Sequence, residues 1–412
     1  MKLVDVKQIV RNAIAQTMGN DYMPLIDPDT QLPISNAAFD ALDSQALIDI
    51  GKDVTSETNI ASLNNGLIAL IGRHIIETRT YSTRLPSIYV ESYDWGGFLE
   101  RTRVGLGEIF DDPMYTKQFG QNFAELEHTY FGQTTMSKIF EEAKAIMVPM
   151  STEREVLREA FNSWDKMSEY IGAKEAKIRS TINLALAVVE KMLLQCAVAI
   201  SDVKNGSAVH LITEAVAVGI VDQIPVTDDD PRNPTWEEVR LNPAFLAFAM
   251  FRMKQIRAYM TEISTAFNDG SIPTWADEDP RLVVLDDFKD QCKVYVKANT
   301  FNPDEIGVGS LESIASWQGI YDGTNETTFD PVTVSSVSVA ANEAAKIGQA
   351  GAYEKSGVLG LMFDRSAIGI CLRRSKVTSN YTASADFWNT YYHELFDHII
   401  DSSYGIVAFI AD

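Results

Sequence analysis

Trp95-Gly96-Gly97-Phe98-Leu99-Glu100-Arg101-Thr102-Arg103-Val104 opens the segment on which the fold turns. Around it, residues 85–150 show little helical periodicity. Tyr81, Leu85, Ile88, Tyr89 and Val90 lie among Ser and Thr. Trp95–Phe98 reads as a turn, Leu99–Phe110 as one arm, Asp111-Asp112-Pro113 as its end, and Phe123–Phe140 with Ala143–Met150 as the return. Two paired arms of about 20 residues would reach about 60 Å from the body. Such a two-stranded ribbon is only marginally stable alone in water. Yet it carries Trp95, Phe98, Leu99, Phe110, Phe123, Tyr130 and Phe140, an apolar surface that one copy would leave wet. The expectation is that the ribbon lies on a neighbouring copy through Trp95, Phe98, Leu99, Arg101, Arg103 and Phe110. Arg101 and Arg103 would pair with acids of that neighbour and set register. Head-to-tail contacts of this kind close into rings or shells. The rival reading folds the ribbon back on its own chain.

Helical periodicity brackets this excursion. Val6, Ile9, Val10 and Ile14 share one face of a helix stopped at Gly19-Asn20, and a Pro- and Asp-rich arm follows over 20–37. The N-terminal arm poses the ribbon's problem of cover again. Helices are also read over Ser35–Ile50 and Glu57–Thr78. After the excursion, Thr152 and Glu155 match a capping box. Gly172 is read as a break, and Lys174–Val203 as the longest helix, about 45 Å at 1.5 Å per residue. Ile178, Ile182, Val189 and Met192 are its core positions, and Asn205-Gly206 its stop. Residues 207–355 read as mixed α and β: a helix over Leu241–Phe267, strands at Arg281–Leu285 and Cys292–Val296, loops and edge strands over Gly307–Val339, and a short helix at Ala340–Ala350. Strands Gly357–Phe363 and Ala367–Arg373, joined at Asp364-Arg365-Ser366, precede an aromatic segment (Phe387, Trp388, Tyr391, Tyr392, Phe396) and a last strand, Tyr404–Ile410.

Chemistry is sparse along the 412 residues. Thirty-five basic against 57 acidic residues give a net charge of −22. That excludes a protein built to grip phosphate, and Arg373-Arg374 with Lys376 is too small a basic group to change this. Acidic excess favours solubility and repels packed nucleic acid. Cys196, Cys292 and Cys371 have no metal-like spacing and read as reduced, buried thiols. No uninterrupted apolar run approaches the roughly 20 residues of a membrane span, and the first residues are not those of a signal peptide. His393-Glu394-Leu395-Phe396-Asp397-His398 has one residue too many for the zinc motif HExxH, so on a helix its imidazoles diverge. Gly105-Leu106-Gly107 lacks a third glycine. Asp228-Asp229-Asp230 before Pro231 reads as a solvated loop, and Trp236 and Trp275 as packing plugs. No cofactor, metal or catalytic residue is expected.

The order of elements (N-arm, extended loop, long helix, mixed domain, late strands) resembles the major capsid proteins of tailed bacteriophages, the Hong Kong 97 (HK-97) fold. Gly357-Val358-Leu359-Gly360-Leu361-Met362-Phe363-Asp364-Arg365-Ser366-Ala367-Ile368-Gly369 looks like that family's late strand-turn-strand, and Tyr404–Ile410 like its ending. Short-tailed phages of the phi 29 or picovirus type are similar in length and layout. The resemblance implies an α+β fold divided into an N-terminal arm (1–55), a P-domain helix (56–84), an E-loop hairpin (85–150), the spine helix of the P-domain (151–206), a mixed A-domain (207–355) and C-terminal strands (356–412). It implies a structural subunit, not an enzyme. Such a subunit assembles in the bacterial cytoplasm as hexamers and pentamers, with scaffold and portal proteins. The product is an icosahedral shell that encloses double-stranded DNA and involves no membrane. Some members of that family crosslink an E-loop lysine; Lys117 and Lys138 lie in the loop, but nothing marks a partner, and that chemistry is not carried over. The alternatives are an encapsulin-like compartment shell and a soluble α+β enzyme without a recognisable site.

Overall fold

The computed structural model describes residues 3–19, 44–55, 62–67, 99–105, 135–140, 143–227, 230–276, 279–296, 311–318, 333–382 and 386–412, with isolated positions between 22 and 89. In chain order its strands are β1 (Leu99–Val104), β2 (Thr135–Phe140), β3 (Ala143–Glu153), β4 (Val209–His210), β5 (Ile224–Thr227), β6 (Asp230–Arg232) and β7 (Arg281–Leu285). They continue with β8 (Leu311–Ile314), β9 (Val337–Val339), β10 (Tyr353–Lys355), β11 (Val358–Phe363), β12 (Ile368–Thr382), β13 (Phe387–Ile400) and β14 (Ile406–Ile410).

Two sheets carry the body. The first has the order β4-β14-β11-β7-β8. Every residue of β11 and β14 is buried, which is why both read as unbroken apolar runs. The second, β12-β13-β3, is antiparallel and made of long strands of 15, 14 and 11 residues. A helix over Trp164–Ala199 packs against strands of both sheets. Its 36 residues span about 54 Å. Ile178, Ile182 and Val189 are buried on it as expected, with Met192 at the margin of the core. By length and composition this helix passes for a membrane span, more than its broken apolar runs suggested, but 61% of that apolar stretch is buried inside the protein.

Tertiary pairing overrides several local readings. The long helix runs straight through Gly172, where no neighbour crowds the backbone; one helical glycine costs only about 1 kcal/mol. Its start is capped by Ser163, whose Oγ accepts from the Lys166 N–H at 3.2 Å. Thr152 caps nothing. Pairing of Trp388 with Thr152 and of Phe387 with Glu153 holds that stretch extended in β3, and the buried Thr152 hydroxyl accepts from the Lys174 ammonium. Cys292–Val296 is a π-helical turn continuing the helix Asp286–Gln291, not a strand. The aromatic segment is strand β13. His393 and His398, an odd number apart on it, face opposite sides of the sheet. β11 and β12 do not form a hairpin: the turn at Asp364 passes the chain from one sheet to the other. Trp236 is buried against Phe245 and Phe288, whereas Trp275 is 42% exposed and plugs nothing. All three cysteines are free and buried, and burial pushes the Cys292 thiol up to about 12.

The N-terminal helix, Leu3–Met18, needs no neighbour. Val6, Val10 and Ile14 are fully buried within the chain, Lys7 lies over the Trp164 ring at 5.2 Å, and Phe39 meets the same ring edge-on at 5.6 Å. The Pro-rich arm at 20–37 lies outside the described residues apart from Tyr22.

One polar group sits where the long helix meets Tyr89 and the charge of β8. Glu190 of the long helix is 4% exposed and accepts from the Tyr89 hydroxyl at 2.6 Å. Burial pushes its carboxyl up to about 7; the Tyr89 hydrogen bond opposes that rise and the charge of Glu312 on β8 adds to it. A carboxyl with a raised folded value is better protonated in the native state. Its contribution is therefore complete below the unfolded value near 4.5 and is lost as pH rises through about 7. Glu190→Gln, which keeps the shape without the charge, is expected to flatten the fall in stability between pH 5 and 8, read from urea midpoints. An unchanged pH slope would disprove it.

Candidate assembly interface

β1 and β2 are the described root of the ribbon, in the register Leu99↔Phe140, Arg101↔Lys138, Arg103↔Met136. Trp95, Phe98 and Phe110 lie outside the described residues, as do Lys117 and the rest of 106–134; for Leu99 only its place in the ladder is described. A ladder alternates its faces, and burial along β2 does so at every step from Thr135 to Phe140.

The inner face is bolted to this same chain. The Arg103 guanidinium donates to the Ser403 carbonyl at 2.7 Å and lies 4.4 Å from the centre of the Tyr404 ring. Arg101 donates to the Ser366 carbonyl and sits between Phe140 and Tyr404 at 6.0 and 5.8 Å. Lys138 bridges two carboxylates, Asp269 and Asp401, each at 3.0 Å. Asp401 is 1% exposed, and the Ser403 N–H and hydroxyl also donate to it. Burial works against the Asp269 charge, yet hydrogen bonds from Ser271 and Lys138 hold its carboxyl down at about 2. The ribbon root thus folds against its own chain. The two arginines expected to meet a neighbour's acids are engaged on the loop Asp401–Tyr404 and the turn at Ser366 instead.

The outer face is turned to solvent. It carries Glu100, Thr102 and Val104 on β1 and Thr135, Ser137 and Ile139 on β2. Val104 and Ile139 are 57% and 56% exposed. Of the residues expected at a neighbour, Arg101 and Arg103 fall on the inward phase, because charge and size alone do not reveal the phase of a two-residue period. The nearest usable signal was the apolar Val104 and Ile139 themselves.

A buried spine helix beneath two sheets, with a ribbon rooted between them, defines a shell subunit of the HK-97 type. The family model for Phi29-like phage major capsid protein matches residues 12–402, and the chain belongs to that family. It is therefore a structural subunit of a phage virion capsid, a protein that associates with copies of itself. Solved structures similar to this chain include the capsid of Staphylococcus phage Andhra, at 12% identity over 78% of this chain and 82% of that one, TM-score 0.45. They include the mature capsid asymmetric unit of bacteriophage PhiM1, at 10% identity over 81% and 88%, TM-score 0.42. A third is the acidic stable capsid of Helicobacter pylori bacteriophage KHP30, at 10% identity over 80% and 90%, TM-score 0.43. No curated protein matches the sequence. Nothing in these comparisons supports an encapsulin-like compartment or an enzyme.

Proposed function

We propose that this capsid subunit assembles in the host cytoplasm, as hexamers and pentamers, with a scaffold and a portal, into a shell held by its ribbons. Its role is mechanical, with no catalytic step, and its net charge of −22 suits a wall that holds DNA without adhering to it. The observation that supports the reading most is the two-faced ribbon root. One face is anchored by Arg101, Arg103 and Lys138, while the other holds Val104 and Ile139 in solvent. Anchoring removes the swing of the ribbon and so lowers the entropy lost when its outer face meets a neighbour; Trp95, Phe98, Leu99 and Phe110 are proposed as further contacts of the same ribbon. Many such modest contacts hold a shell when none is strong alone.

Ile139→Asp tests this. The position is exposed, so folding stability should change by no more than about 0.5 kcal/mol. The full-length variant should stay soluble and monomeric, while the unaltered chain, co-expressed with its scaffold, gives particles visible by electron microscopy. Normal particles from Ile139→Asp would remove the outer face from the interface.

A further inference from the structure

The basic group at Arg373-Arg374 and Lys376 acquires a setting that its sequence did not disclose. β12 pairs with β13 as Leu372↔Phe396 and then Arg374↔Leu395, so Arg373 is the extra residue of a bulge. Without that bulge Arg374 and Lys376 would fall into phase with Glu394 and Tyr392, on the face packed against the long helix; a bulge re-aims the side chains that follow it. Arg373 itself is taken by the buried Asp397, at 2.8 and 2.7 Å. Arg374 and Lys376 are left exposed on the outward face of the three-stranded sheet, with Lys376 opposite His393. From Arg374 to Asn380, and across the paired residues of β13 and β3, that outward phase contains no carboxylate. Glu153 lies at its far end, opposite Phe387. The Tyr391 and His393 rings lie tilted with their centres 6.3 Å apart, and Met147, opposite His393 on β3, is 53% exposed.

We propose that this outward sheet face, centred on Arg374 and Lys376, docks the acidic surface of a second copy of this chain. The inference rests on the reading of the chain as a shell subunit. A second copy fits for three reasons. Each copy carries 57 acidic against 35 basic residues, so acidic groups are in excess on a neighbour. The cations sit among Met147 and Tyr391, and Met, Tyr and Arg are the residue types enriched where proteins meet. Two cations neutralise too few phosphates to hold a nucleic acid against that overall charge. Basic face to acidic flank is a head-to-tail contact, the kind that builds closed shells.

The test compares full-length wild type with R374E/K376E, each co-expressed with scaffold, by particle yield and electron microscopy. Both positions are exposed, so the thermal midpoint of the monomer should be unchanged. Particle yield should drop at least about tenfold, and wild-type assembly should weaken as NaCl rises from 0.1 to 1 M and the screening length falls from about 10 to about 3 Å. Should the reversal misfold, R374Q/K376Q removes charge without reversing it and is expected to lower the yield. Wild-type yield from a folded variant overturns the proposal. So do full-yield shells that lose only their affinity for DNA, which would make nucleic acid the partner. Absence of particles from the wild type would overturn the shell reading, and this inference with it.

Discussion

Lys138→Ala is expected to destabilise the folded subunit by about 3 kcal/mol. Removing one partner of a buried ion pair costs roughly 3–5 kcal/mol, because the other charge stays buried without compensation. Here two carboxylates would be left, with Asp401 1% exposed and Asp269 14%; Lys138 itself is 27% exposed, which argues for the lower end of that range. The pH dependence has a definite sign. Asp269 has its folded value depressed from 3.8 to about 2. Its contribution is present above the unfolded value and is lost as pH falls through the folded one. The gap between wild type and Lys138→Ala in urea titrations should therefore be widest near pH 7 and close between pH 4 and pH 2. A gap that persists at pH 2 would show that the lysine acts through packing and not through charge. Because the same bridge anchors the ribbon root, the variant should also lose particle yield at temperatures where its monomer is still folded.

Trp317→Ala should cost still more, about 3–5 kcal/mol by the range for large aromatic truncations in cores. Trp317 is 1% exposed. Its indole N–H donates to the Val358 carbonyl at 2.8 Å, its backbone N–H donates to the Val334 carbonyl at 3.0 Å, and its own carbonyl accepts from Gln195 of the long helix. One residue thus ties the segment after β8 to the strand at the centre of the five-stranded sheet through its side chain and to the spine through its backbone. Truncation opens a cavity and leaves the Val358 carbonyl without that donor. Trp317→Phe, which keeps most of the volume and loses the N–H, should recover the packing part and leave about 1 kcal/mol, the usual net worth of a hydrogen bond. Equal losses from both variants would mean that the indole N–H matters more than its volume.

What could be read from residues alone was whatever depends on local periodicity. The spine announced itself through Ile178, Ile182 and Val189, since burying one helical face demands that spacing. β7, β11 and β14 announced themselves as short apolar runs, because strands covered on both faces need no polar alternation. The layout those elements share was enough to suggest the capsid family and the extended ribbon. Phase and partnership were another matter. Whether Arg103 or Val104 faces the body depends on where β1 pairs with β2, and a shift of one residue exchanges the two. Thr152 is extended because β13 lies beside it, and Arg374 is exposed because Arg373 is bulged out. Local sequence specifies a period through side-chain burial; only pairing with distant strands sets the origin from which that period is counted.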